Sequence, residues 1–229
     1  MAPTIDIFGL TLSEPMTTVT DYLVTAVAWW LGAKLIARHG FGGGPAQLWG
    51  IGFLWVGLGA FLGGTSHGFA VYLGDPAYAA IWKATVYSIG LSASFAVAGS
   101  IGSSTVRDSS KRLLHALNVA AFAVYGVWMI NHSGFVFVIL HYVPAMTAIA
   151  LLHVYAYLQD RAPHASLIIA GVVATLLGAA IQRSGFSLHR HFNHNDLYHL
   201  VQVGSLVLFY LGVVRLTAPE PKARVANPV

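Results

Sequence analysis

Residues 47–69 read QLWGIGFLWVGLGAFLGGTSHGF, a stretch without Asp, Glu, Lys or Arg. A helix that crosses a hydrocarbon core about 30 Å thick needs about 20 mostly apolar residues, and this stretch supplies them before it ends in Thr65, Ser66 and His67. Its glycines, Gly57, Gly59, Gly63 and Gly64 among them, suit close packing of one helix on another. Six more runs of this kind lie on either side: Thr17–Ala37, Tyr78–Gly99, Leu113–Ile130, Phe135–Leu158, Ser166–Ile181 and Asp196–Leu216. The expected fold is all-α and integral to a membrane, a bundle of seven transmembrane helices forming one domain over residues 1–229.

Composition agrees. The chain is 56% hydrophobic and 9% charged, whereas a soluble domain carries about a quarter charged residues. The segments left between the runs are too short for a separate soluble domain. There is no cysteine, which excludes thiolate ligands, disulfides and thiol catalysis. The N-terminal MAPTIDIFGLTLSEP has neither a basic nor an apolar leader region, so the first run is expected to act as its own insertion signal.

Basic residues near helix ends mark the cytoplasmic side. Arg38, Arg107, Lys111, Arg112, Arg161, Arg215, Lys222 and Arg224 all fall on one side of the seven-run topology. Asp6, Glu14, Asp75 and the histidine-rich segment HRHFNHNDLYH at 189–199 fall on the other, with Arg183 and Arg190 as basic exceptions. This predicts an N-terminus outside and a C-terminus in the cytoplasm, in the cytoplasmic membrane of a bacterium. The same loop bias explains the isoelectric point near 9.4, so the basic balance gives no reason to invoke nucleic acid. The expected partners are membrane lipids and a larger membrane protein complex.

With that topology, polar residues on five runs share one depth near the outer end: Asp21, His67 with Thr65 and Ser66, Lys83, His141 and His199. Ionisable side chains inside a bilayer are costly and usually face the bundle interior. On the last helix, at 100° per residue, Asn195, His199 and Gln202 form one stripe, with Asp196 about 60° from His199. Asn193 or Asn195 suits the cap of that helix and Asp196 its positive end. His39, His115, His153 and His164 belong to the inner side and His132, His189 and His191 to loops, where no role is expected.

Two or three imidazoles beside an open water position make a catalytic zinc site, and a nearby carboxylate commonly fixes the tautomer of a ligating histidine. The candidate ligands are His67 and His199, with His194 third, reachable if the chain is unwound before the helix, and His141 as its substitute. Asp196 would orient His199 or handle protons. Such a site lowers the pKa of bound water toward about 7. Ser66 or Thr65 would hydrogen-bond a developing oxyanion. Lys83 reads first as an ion-pair partner of Asp21 or Asp75, and second as a group that helps polarise a substrate carbonyl.

Three segments resemble the CREST superfamily of seven-helix membrane hydrolases, which includes alkaline ceramidases and the adiponectin/progestin receptors. EPMTTVT (Glu14, Thr17, Thr20) is similar to its Glu-x-x-Asn-x-x-Ser pattern, GGTSH to its Ser-x-x-x-His with His67 as ligand, and NDLYH to its His-x-x-x-His with His199 as second ligand. Gly63 stands at the serine position and Asn195 at the first histidine position, and no aspartate of the third run matches. The resemblance implies a zinc-dependent hydrolase of a lipid amide or ester at the outer interface. The alternative from the residues themselves is a non-catalytic subunit of a membrane complex whose histidines bind haem, chlorin or copper or serve structurally. A small transporter or ligand sensor is the third class. A retinal protein is set aside, because the last helix has no lysine for a Schiff base.

Overall fold

The computed structural model describes residues 3–39, 42–159, 162 and 165–216. Arg161, His164, the tail with Lys222 and Arg224, and Gly40 and Phe41 of the glycine-rich loop lie outside the described residues. Among the described residues, seven helices are long and apolar enough to cross a membrane: α1 Pro15–His39, α2 Pro45–Gly68, α3 Asp75–Ser103, α4 Asp108–Asn131, α5 Phe135–Leu158, α6 Ala165–Ser184 and α7 His194–Leu216. Most begin or end a few residues outside the apolar runs, because a helix continues through polar residues until something stops it. Proline opens α1 and stands in the first turn of α2 and α3, where its missing N–H would have had no partner.

Sequence reading left the N-terminal arm without structure, whereas it forms an antiparallel hairpin of β1 Thr4–Ile7 and β2 Leu10–Ser13. The turn residues Phe8 (φ 50°) and Gly9 (φ 84°) both have positive φ, the geometry that matches the twist of a two-residue hairpin. The hairpin is tied down by the Thr11 amide, which donates to the Tyr72 hydroxyl at 2.7 Å.

Consecutive helices pack on one another, and α7 closes back onto α1. Gly32 of α1 and Gly50 of α2 meet backbone to backbone, since a β carbon on Gly32 would lie 2.9 Å from the Gly50 carbonyl oxygen. The core runs through Val24, Leu31 and Leu35 of α1, Trp49 and Phe53 of α2, Ile149 of α5, Ile168 of α6 and Phe209 of α7. The surface distribution reverses that of a soluble domain. Val119, Val124, Val127 and Ile130 of α4 are exposed, while Thr17, Thr20, Asp21, Thr25, Ser88, Ser92, Asp196 and His199 are buried.

Candidate functional site

The polar residues collect at the hairpin end of the bundle, where α1, α3, α5 and α7 begin. Thr17, Thr18, Asp21 and Thr25 recur at helical spacing along α1, and all are buried against neighbouring helices. Thr25 Oγ1 donates to the Asp21 carbonyl at 3.0 Å and Thr18 Oγ1 to the Glu14 carbonyl at 3.2 Å, while Thr17 Oγ1 is buried with no partner. The carboxylate of Asp21 is different. Its Oδ1 meets His199 Nε2 of α7 at 3.2 Å, and its Oδ2 is buried with no hydrogen-bond partner.

His199 is held from its other side by Thr20, whose Oγ1 lies 2.9 Å from Nδ1. The same hydroxyl is 3.4 Å from Asp196 Oδ1, so Asp196 reaches His199 through Thr20 and not directly. Asp196 is fully buried, and its Oδ2 accepts from the Asn193 amide at 2.6 Å. Asn193 in turn accepts from the Asn195 amide at 2.8 Å, which caps the start of α7.

His67, at the last turn of α2, donates through Nδ1 to Glu14 Oε2 at 3.2 Å. That hydrogen bond holds the Glu14 carboxyl below its ordinary range, against the opposing effect of partial burial. Glu14 sits at the corner between β2 and α1 with φ 44°, a left-handed conformation that non-glycine residues adopt at a cost of order 1–3 kcal/mol. Its amide donates to the Pro3 carbonyl at 2.8 Å, so the hairpin pins the corner that aims this carboxylate.

Asp21, His67 and His199 line one cavity of about 140 Å³. Asn195 and Gln202 of the α7 stripe share its wall, together with Thr85, Gln182, Tyr142 and Tyr198. Gly63 faces it too. A β carbon there would lie 3.7 Å from Asp21 Oδ1 and from Thr85 Cγ2, ordinary contact distances.

Other sequence candidates stand elsewhere. Among the described residues Lys83 pairs with no carboxylate; its ammonium donates to the Met129 carbonyl of α4 at 2.6 Å and to the His132 carbonyl just beyond it at 2.7 Å. Thr85 and Ile89 turn toward the cavity, and a residue two positions before Thr85 points about 200° away from it. His141 likewise points away: its neighbour Tyr142 lines the cavity, while the imidazole stacks on Tyr125 of α4 at 4.4 Å. Ser66 is buried beside the site with an unpartnered hydroxyl, but it is not among the cavity walls. Thr65 turns to α1, 3.2 Å from the Tyr22 hydroxyl. His194 opens α7, near enough to Glu14 to favour its ionised form, with an unpartnered Nδ1.

Among the described residues, no three His, Asp or Glu side chains are gathered closely enough to hold a metal ion as they stand. The donor chemistry nevertheless suits one. Glu14 occupies Nδ1 of His67, Thr20 occupies Nδ1 of His199 and Asp21 Oδ1 its Nε2, and Asp21 Oδ2 is left without a partner. The 3.2 Å between His199 Nε2 and Asp21 Oδ1 is close to the separation of about 3.3 Å between two atoms bound to one tetrahedral zinc at about 2.0–2.1 Å. Sequence reasoning suggested Asp21 or Asp75 as the ion-pair partner of Lys83. The signal it passed over is the spacing of Thr17, Thr18, Asp21 and Thr25, a polar stripe that faces inward on α1.

Against known families, residues 16–218 match a family of unknown function (DUF6962). No curated protein and no solved structure matches the chain.

Proposed function

The chain belongs to that family of unknown function, and from its own buried site we propose that it is a zinc-dependent membrane hydrolase of a lipid amide or ester. The reading places the helices across a cytoplasmic membrane with the hairpin end outside, following the basic residues of the opposite loops. One observation carries it: Asp21 and His199 meet at 3.2 Å on a cavity shared with His67, with one Asp21 oxygen unpartnered.

In this reading His67, His199 and Asp21 hold the metal, and Asp21 takes the place that the sequence offered to His194 or His141. A bound zinc supplies a polarised carbonyl and a water of lowered pKa. Everything else falls to the chain. Glu14 keeps His67 from rotating. Thr20 fixes the His199 ring and links its Nδ1 to Asp196 Oδ1, a route for a proton leaving the site. Gln202, Asn195 and the hydroxyls of Tyr142 and Tyr198 hydrogen-bond the polar part of the substrate, the role first given to Ser66 and Lys83. Val56, Ile89 and Phe135 exclude bulk water and receive its apolar part.

The test is metal content with turnover. Purified protein is expected to carry about one zinc per chain and to release fatty acid from long-chain amides or esters. Both should be lost in His67→Ala, His199→Ala and Asp21→Asn. Protein with neither metal nor turnover would sink the reading. A second reading has its own support: both ring nitrogens of His199 already have protein partners, and among the described residues no three-donor group is assembled. There the chain is a non-catalytic subunit of a membrane complex, its histidines tying α1, α2 and α7 together or holding haem, chlorin or copper. A Soret band or bound copper in the purified protein would decide for it.

A further inference from the structure

Holding Glu14 in place accounts for the base of the hairpin and leaves its apolar tip unexplained. The register sets Ile5 opposite Leu12 and Ile7 opposite Leu10, so these four side chains share one side of the sheet and Thr4, Asp6, Thr11 and Ser13 the other. Ile5 and Leu12, at the base, are half-buried, whereas Ile7 and Leu10, next to the turn, are exposed. The Phe8 ring at the tip is fully exposed. Phenylalanine is unfavourable there, because a two-residue turn with positive φ at both positions favours Asn-Gly or Asp-Gly, and at φ 50° a bulky side chain strains the backbone. Packing within the described residues does nothing to offset that strain, so the offset has to come from outside the chain.

The first helix fixes where a bilayer surface stands relative to this tip. Val19, Leu23 and Trp30 form an exposed apolar stripe along α1. Lys34 follows on the same stripe, its ammonium 3.8 Å from the centroid of the Trp30 ring. It is the first Lys or Arg of the chain and marks the inner edge of the hydrocarbon. Counted outward from Lys34 at about 1.5 Å per residue, a core about 30 Å thick takes about 20 residues. It ends at Glu14 and Pro15, the corner from which the hairpin springs. Tilting α1 only moves that boundary further into the hairpin. The bond from the Thr11 amide to the Tyr72 hydroxyl ties the strand near its turn to Ala70–Tyr72, just past the end of α2. The hairpin therefore lies along the helix ends and does not stand out from them. Val71 and Tyr72 beside it are exposed as well, an apolar and an amphipathic side chain of the kind that lines a membrane interface.

Charge narrows the choice of surface. Residues 1–33 contain no Lys or Arg, and Asp6 and Glu14 are the only charged side chains of the hairpin and its corner. Nothing there attracts anionic headgroups. We propose that the hairpin is an interfacial anchor, whose tip of Ile7, Phe8 and Leu10 sinks between outer-leaflet lipids as far as their uncharged glycerol and upper acyl region. This shares with the hydrolase reading only the placement of the helices across a membrane, and it needs no metal and no turnover.

Because the chain has no cysteine, a nitroxide on Leu10→Cys reports on that position alone. In nanodiscs of phosphatidylcholine, its accessibility to oxygen, which concentrates in lipid, is compared with its accessibility to a water-soluble nickel chelate. Labels on Val124→Cys, from the exposed face of α4, and on Ser109→Cys, at the opposite end of the bundle, serve as the lipid and water references. The oxygen-over-nickel ratio at Leu10 is expected to exceed that at Ser109 about tenfold, the partition factor of one apolar side chain. Combined with Phe8→Asn and Ile7→Thr, which suit the turn and the strand but remove the apolar tip, it should fall to the Ser109 value. A ratio at Leu10 no higher than at Ser109, poor access of both reagents as beneath a partner protein, or a ratio unmoved by the double substitution overturns the proposal. Val124 reads the membrane placement separately. If Val124 shows no oxygen preference, that placement fails and the anchor with it, whereas a lipid-like Val124 beside a water-like Leu10 sinks the anchor alone.

Discussion

Gly63 and Gly64 are neighbours on α2 under different constraints. A β carbon at Gly64 would fall 2.8 Å from the Asp21 Cβ and 3.0 Å from the Tyr22 ring, whereas at Gly63 it meets nothing closer than 3.7 Å. Gly63→Ser is therefore expected to leave the melting temperature in detergent unchanged or higher, because its hydroxyl can donate to the unpartnered Asp21 Oδ2. Gly64→Ser forces α1 and α2 apart and should cost about 1–3 kcal/mol. Equal drops for the two variants would show that Asp21 is not where it is described. Glu14 makes a third case. Glu14→Gly relieves the positive φ but releases His67, so stability should change by no more than about 1 kcal/mol while zinc affinity falls about 10–100-fold, as for other partners of ligating histidines. Unchanged zinc affinity would remove Glu14 from the site. These distinctions are only half legible in the sequence: TSH and NDLYH mark where ligand-type side chains lie, but nothing in either segment says that Asp21 shares their cavity.

At the scale of elements, Lys83 shows how a residue type misleads when its helix face is unknown. A lysine near the end of an apolar helix reads as half of an ion pair, yet here it caps α4, whose last carbonyls have no N–H of their own helix to accept. Trp82 adds a bond from Nε1 to the Ser133 carbonyl at 2.8 Å, so two adjacent residues of α3 hold the α4–α5 turn. Lys83→Met should lower stability by about 1–3 kcal/mol and speed proteolysis between Asn131 and Gly134, with zinc content unchanged. Loss of zinc in this variant would return Lys83 to the site. The hairpin was legible in principle: Ile5 and Ile7, then Leu10 and Leu12, alternate about Phe8-Gly9. What its sequence does not carry is its use, which is to hold Glu14 over His67.

For the whole molecule, the proposed orientation has a direct check, since the chain contains no cysteine to confuse it. Asp6→Cys should react with a membrane-impermeant maleimide in intact cells, and Ser109→Cys only after the cells are opened. The reverse pattern would move the site to the cytoplasmic side. Seven helices were determined by the sequence alone, because the length of an apolar run and the residues that stop it are local properties. The depth at which polar residues gather follows from the same counting. Which of them meet is a matter of rotation about each helix axis. That is decided by contacts between helices, Gly32 against Gly50 and Gly64 under Asp21, to which no single segment has access. So the sequence determined that Asp21, His67, Lys83, His141 and His199 lie in one layer, and only the tertiary structure turned Asp21, His67 and His199 toward a common cavity and Lys83 and His141 away from it.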